Sequence, residues 1–331
     1  MKQDLIDIIS DIQGQKILVL GDMVADIYLH GTISRISREA PVLVLEQSSE
    51  TIVAGGAANV VNNAATLGGQ VFAAGLLGLD SAARGLKTVL ERNGADTAGL
   101  FCDEKRPTIA KTRIIAGGRA TVSQQIVRID KESHEPLAPA FESHLWHYIK
   151  GLLPKIHGVV LSDYGCGTIT DKLRDKLLAE CQKREIPTIV DSRYDISRFA
   201  GVDYIKQNDA ELAAAVGRSL PDEDALYDAA QELLQKLGAR GVLITRGEQG
   251  MVLFEESGAI HNIPVSDRSE VYDVSGAGDT CVAVVILALA AGVEPVRAAE
   301  LSNVAAGIAV RKLGTATVGA DELTEALGQR S

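Results

Sequence analysis

A doubly wound, mostly parallel α/β sheet flanked by helices and carrying a small inserted β-sheet lid is the fold class this sequence predicts. Three observations predict it. The 331 residues are 46% hydrophobic but only 4% aromatic, with 32 glycines, which suits an aliphatic core with close helix packing, as in layered α/β domains. Short continuous apolar runs recur with helical patterns between them, the way strands buried on both faces read. Two regions break that rhythm with alternating apolar and polar residues, the mark of a sheet with one face in water.

An amphipathic helix opens the chain, and the run 16–22 then stays apolar until Gly21-Asp22, so it reads as a buried strand delivering Asp22 at its carboxyl edge. Similar runs at 158–163, 188–191, 202–206 and 241–247 lead to Asp163, Asp191, Asn208 and Thr245-Arg246-Gly247. Ligands of a doubly wound sheet bind beyond the carboxyl ends of its strands. These residues are therefore site candidates, although a strand-end Asp is equally an ordinary helix cap. The alternating regions are 41–46 and 108–130, read as short antiparallel strands around a Gly117-Gly118 turn. They place a lid at about 27–52 and 107–130 within a single domain, 1–331. An apolar outer face on such a lid would pair with a second copy, so a homodimer through the lid is expected.

Net charge is −11, and Lys and Arg are scattered rather than striped, which argues against nucleic acid or an anionic membrane surface as partner. Cys102, Cys166, Cys181 and Cys281 form no C-x-x-C pair and no H-E-x-x-H occurs, so neither structural zinc nor a disulfide framework is expected. Lys2, Asp4 and Asp7 interrupt any signal-peptide core, and the strongest apolar run, 281–291, is too short to span a bilayer. With free thiols, a cytoplasmic location is expected.

The richest segment is 273–280, where Gly276-Ala277-Gly278-Asp279 opens a helix. Small residues let backbone N–H groups approach an anion while the helix dipole favours negative charge there, and Asp279 on the first turn is placed as a proton acceptor. A Walker loop would need Lys after the last Gly, and this chain has Asp279-Thr280. Gly55-Gly56 at a second helix start, with Asn59 one turn in, offers a close backbone edge and an amide for sugar hydroxyls, or simply tight helix packing. Asn208 and Glu211 at i, i+3 can order the water shell of Mg²⁺, and the same spacing makes a capping box.

These segments in this order resemble the ribokinase-like, phosphofructokinase B-type sugar kinases. Within them, 34–42, Leu161-Ser162-Asp163-Tyr164, 270–274 and 312–315 are similar to bacterial D-glycero-β-D-manno-heptose 7-phosphate kinases over essentially the whole chain. Many of those are fused to a cytidylyltransferase, whose H-x-G-H motif is absent here. The resemblance implies ATP and Mg²⁺ as cofactors and a phosphorylated seven-carbon sugar as partner, phosphorylated at its anomeric hydroxyl for lipopolysaccharide-core synthesis. It implies Asp279 as base, with Gly276, Ala277 and Gly278 as anion hole. Asn208, Glu211 (towards Mg²⁺ through water), Thr245, Arg246, Gly247 and Asn303 fall on the nucleotide side. Asp22, Gly55, Gly56, Asn59 and Asp163 fall on the sugar side, and Lys111, Arg113 or Arg128 is expected to meet the 7-phosphate. Another phosphosugar, such as fructose or tagatose phosphate, and a non-catalytic sugar or nucleotide sensor stay open as alternatives. Two departures stand out: relatives often carry Pro-Lys where this chain has Ser192-Arg193, and Pro in place of Gln207.

Overall fold

The computed structural model describes residues 2–117, 123–266 and 271–328. The chain begins α1 (Lys2–Asp11), β1 (Lys16–Gly21), β2 (Met23–Ile36), β3 (Leu43–Gly56), α2 (Ala57–Thr66), β4 (Gln70–Gly78), α3 (Ser81–Arg92) and β5 (Asp96–Asp103). It continues β6 (Ile109–Gly117), β7 (Gln124–Lys131), α4 (Pro139–Leu152), β8 (Gly158–Asp163), α5 (Asp171–Lys183), β9 (Thr188–Ser192), β10 (Tyr204–Asn208) and α6 (Asp209–Val216). It ends α7 (Glu223–Leu237), β11 (Gly241–Thr245), β12 (Met251–Glu255), β13 (Ile260–Ile263), α8 (Ala277–Ala290), α9 (Pro295–Ala309) and α10 (Ala320–Gly328).

The main sheet has the order β13-β12-β11-β10-β9-β8-β1-β4-β5, parallel from β11 through β5, with β12 and β13 antiparallel at one edge. Successive side chains of a strand point to opposite faces, and β1 shows the consequence. Ile17 and Val19 join the core packed by α1, α2, α3, α8, α9 and α10, while Leu18 and Leu20 join the core packed by α4 to α7. Because both faces are covered, the strand is apolar at every position after Lys16, and this continuity is what the sequence displayed. Each of the five apolar runs read as strands becomes one, with bounds shifted by a residue or two.

The second sheet has the order β3-β2-β6-β7. It was expected to be antiparallel and is mixed: β2 pairs antiparallel with β3, and β6 with β7, but β2 and β6 run parallel. Both β2 and β6 leave the carboxyl edge of the main sheet, β2 directly from β1 and β6 soon after β5, so they travel outward together. The Gly118 half of the expected turn lies outside the described residues. Register puts Asp26, Tyr28, Lys111, Arg113 and Arg128 on one face of this lid, and Ile27, Leu29, Ile114, Val127 and Ile129 on the other.

The lid is joined to the main sheet at Asp22. Its carboxylate accepts backbone N–H groups from Tyr164 (2.9 Å), Cys166 (3.0 Å) and Thr168 (3.2 Å), its own N–H donates to the Ser162 carbonyl, and its carbonyl accepts from Ala57 N–H. Sheet, lid, α2 and the loop after β8 thus meet on one buried residue. Gly21, just before it, has no room for a side chain: a Cβ there would lie 2.1 Å from the Ser162 carbonyl oxygen. Gly21→Ala should therefore cost at least about 2 kcal/mol, the upper range of core overpacking, read as a lowered urea midpoint at unchanged m-value.

Candidate active site

α8 is apolar all round and buried from Asp279 to Ala288, so its first turn is held rigidly by the core. The helix starts at Gly276, which adopts φ 80° and provides no side-chain cap. A Cβ at Gly276 would come within 2.6 Å of Asn59 Nδ2, and one at Gly278 within 2.6 Å of Lys206 Nζ. These two glycines are thus required by close approach of an amide and a cation. Ala277 N–H turns back weakly onto the Val274 carbonyl at 3.4 Å. The first-turn N–H groups and the adjacent ammonium give this turn the character of an anion site.

Asp279 is buried, and its two carboxylate oxygens each accept one hydrogen bond, Oδ2 from Asn59 Nδ2 (2.8 Å) and Oδ1 from the Tyr164 hydroxyl (3.0 Å). Burial pushes its pKa up to about 6, with the charge of Asp191 in the same direction, against the pull of the Asn59 and Tyr164 donors and Lys206. Burial, reinforced by the Asp279 charge, holds the Tyr164 phenol well above its usual range, so it remains a donor. Asn59 is fixed in turn by Asn63, whose amide donates to Asn59 O and Oδ1 and whose own oxygen faces the Thr280 hydroxyl at 3.0 Å. A chain of buried amides therefore orients the carboxylate, as a proton acceptor near neutral pH requires.

Lys206 lies beneath the glycine turn and donates to Asp191 Oδ2 at 2.9 Å. Burial works against its charge, but the carboxylates of Asp191 and Glu211 outweigh it and hold its pKa above the ordinary lysine value. Asn208 and Glu211 form the capping box that their spacing allows: Asn208 Oδ1 accepts Glu211 N–H and Glu211 Oε2 accepts Asn208 N–H, both at 2.8 Å. Burial raises the Glu211 pKa against the pull of Lys206. Among the described residues no group of three or more His, Cys, Asp or Glu converges to cage a metal. That donor set fits Mg²⁺ only as an ion carried by nucleotide phosphates and keeping most of its waters.

Thr245 pairs in register with Asn208 across β10 and β11, so both strand ends open at the same edge. Arg246 is taken by Glu223 at 2.8 Å, and Gly247 has φ 55° with open space where a Cβ would be. The Asn303 amide donates to the Pro264 carbonyl at 2.7 Å, tying α9 to the segment after β13.

On the sugar side the structure corrects several expectations. Asp22 cannot face a ligand, because it is fully buried and committed to three backbone N–H groups. Asp163 is likewise internal, with Oδ1 accepting Gly165 N–H and Oδ2 the Ser192 hydroxyl, and burial raises its pKa. Asn59 is not an unengaged amide, since its Nδ2 donates to Asp279 Oδ2. Gly55 and Gly56 are required by close approach: a Cβ on Gly55 would be 2.4 Å from Asp26 Oδ2, and one on Gly56, at φ 54°, would be 2.7 Å from Val24 Cγ2. Arg113 is not an unpaired cation, since its guanidinium pairs with Asp26 and lies 5.3 Å from the Tyr28 ring. Arg128 pairs with Asp130 at 2.8 Å, while the ion pair of Lys111 with Glu132 is long, at 3.9 Å.

Sequence reading passed over Asp26, Tyr164 and Lys206 as site residues. Asp26 occupies every other position with Tyr28 on β2, a period-two signal that was available. Nothing local announces that Tyr164 or Lys206 converges on a helix over 70 residues further along.

The fold is that of the ribokinase-like α/β proteins. Arabidopsis thaliana ribokinase, in a structure with ribose and ATP, superposes with a TM-score of 0.72 at 18% identity, covering 96% of this chain and 100% of that one. Escherichia coli phosphofructokinase-2 in complex with fructose-6-phosphate gives 0.74 at 20% identity, covering 96% and 99%. The chain belongs to the pfkB family of carbohydrate kinases, whose model matches residues 14–322. Among curated relatives, the bifunctional protein HldE of Geobacter metallireducens is 40% identical over 312 residues, covering 94% of this chain, and that of Granulibacter bethesdensis is 40% identical over 326 residues, covering 96%. The chain spans 62% and 66% of the length of those two relatives.

A carboxyl whose folded pKa lies above its unfolded value destabilises the fold once ionised, so the cost appears as pH rises from about 4 towards about 6. Asp279→Asn should therefore raise the thermal midpoint above pH 7, and the gain should shrink as pH falls through that window, by calorimetry across pH.

Proposed function

We propose that the chain transfers the γ-phosphoryl group of ATP to the anomeric hydroxyl of D-glycero-β-D-manno-heptose 7-phosphate, giving the 1,7-bisphosphate for lipopolysaccharide-core ADP-heptose synthesis in the cytoplasm. The observation that carries the reading is Asp279, buried at the head of α8 with both oxygens held by fixed donors and its pKa near 6. In this mechanism the sugar hydroxyl oxygen forms the new bond to γ-phosphorus, the bond to the ADP oxygen breaks, and the hydroxyl proton passes to Asp279. The N–H groups of Gly276, Ala277 and Gly278, with Lys206 beneath them, hold the phosphoryl oxygens as charge spreads over them. Mg²⁺ brought with the nucleotide supplies further positive charge, and Asn208 and Glu211 are the residues that would hold its water shell. Thr245, Gly247 and Asn303 line the nucleotide side. The heptose acceptor is supported by the motifs at 34–42, 161–164 and 312–315 and by 40% identity to the HldE proteins.

The lid closes over the acceptor with its charged face, and Asp26 is the carboxylate there best placed to receive sugar hydroxyls. Its outer face leaves Val127 at 45% and Ile129 at 54% exposure, apolar surface that a second copy of the chain would cover.

ADP release measured over a panel of phosphosugars tests the reading. Brisk turnover with heptose 7-phosphate is expected, and turnover confined to a hexose phosphate overturns the acceptor. Asp279→Asn should lower kcat at least about 10²-fold, the lower range for a general base. Because the base must be ionised, the wild-type rate should fall as pH drops through about 6.

A further inference from the structure

Resting on the reading that the acceptor carries a phosphate away from its reacting hydroxyl, we infer that Lys111 and Arg193 form the seat for that phosphate, one from the lid and one from the loop after β9, beside the ring of Tyr164. Three of the nearby cations are already spent. Arg113 is paired with Asp26, Arg128 with Asp130 and Lys206 with Asp191. Among the described residues Lys111 has one ion-pair contact, at 3.9 Å to Glu132, and Arg193 has no ion pair.

Both under-used cations converge on one residue. The Lys111 ammonium lies 5.7 Å and the Arg193 guanidinium 5.8 Å from the centroid of the Tyr164 ring, whose hydroxyl donates to Asp279 Oδ1 at 3.0 Å. The same side chain therefore neighbours both cations through its ring and Asp279 through its hydroxyl. A sugar whose reacting hydroxyl meets Asp279 would carry its distal phosphate towards these two charges. A dianion calls for charge-assisted partners, and a guanidinium offers the bidentate fork that suits it.

The backbone at Arg193 is pinned although the side chain is exposed. Its N–H donates to the Asp163 carbonyl at 3.0 Å, and the Ser192 carbonyl accepts Gln207 Nε2 at 2.8 Å. The neighbouring Tyr194 packs on Gly165, where a Cβ would be 2.9 Å from its ring. Gln207 and Arg193, the two departures from the family pattern, are thus adjacent in space. With Lys111 on the lid and Arg193 in the loop after β9, one phosphate bridging them would also draw the lid closed.

Steady-state kinetics of the full-length chain test the assignment, with ATP and either heptose 7-phosphate or unphosphorylated heptose. Arg193→Ala and Lys111→Ala should each raise KM for heptose 7-phosphate about tenfold or more. They should leave KM for ATP and the weak rate with plain heptose unchanged, and Arg193→Lys should recover part of the loss. A rise in KM for ATP would place Arg193 on the nucleotide phosphates and overturn the assignment, as would an unchanged KM for the phosphosugar. Thermal midpoints matching wild type exclude misfolding as the cause. If the wild-type enzyme itself does not distinguish heptose 7-phosphate from heptose, the reading of the acceptor fails and the seat with it; if only the variants are silent, the seat alone fails.

Discussion

The burial of one carboxylate organises this structure. Asp279 stands at the head of a helix that is apolar on every side and enclosed by the core, so the protein has removed a charge from water without giving it a salt bridge of its own. Such a group persists only if fixed donors meet it, and two do, from opposite directions: Asn59 on α2 and Tyr164 in the loop after β8. Everything that positions those donors then becomes part of the site. α2 starts at Gly56 against the first turn of the lid, and the β8 loop hangs on Asp22.

The same constraint explains the small residues around it. Gly276 and Gly278 allow Asn59 and Lys206 to approach the turn more closely than any Cβ would permit. Lys206 in turn keeps its charge because Asp191 lies 2.9 Å away, so a cation is stored under the anion site without depressing its own pKa. Buried polar groups here are satisfied in chains, Asn63 to Asn59 to Asp279. A half-satisfied chain of this kind would cost more than an apolar core.

Much of this was legible from the residues. Parallel strands covered on both faces are apolar along most of their length and turn polar at the carboxyl edge, so β1, β8, β9, β10 and β11 announced themselves. The turn at Gly276 to Asp279 stood out because close approach of Asn59 and Lys206 demands glycine at 276 and 278, with an acid directly after them. The lid was visible as alternation, but its mixed pairing was not, because pairing direction depends on where strands leave the main sheet. The roles of Asp22 and Asp163 were misread for a physical reason: a carboxylate at a strand end caps backbone N–H groups or meets a ligand with the same local sequence. Only the third dimension shows that Asp22 is met by Tyr164, Cys166 and Thr168. Asp26 and Lys206 went unassigned because their partners, Arg113 and Asp191, are distant in sequence or belong to another strand.

The account stands on Asp279 being a desolvated base whose ionisation is eased by donors, and the hydroxyl of Tyr164 is the donor that can be removed with least disturbance. The most direct measurement is the acid limb of kcat against pH for wild type and Tyr164→Phe. Loss of a hydrogen bond to the ionised carboxylate raises its pKa, so the limb should move from about 6 to higher pH in the variant. An acid limb unmoved by the substitution, or absent from the wild-type profile, would contradict the account.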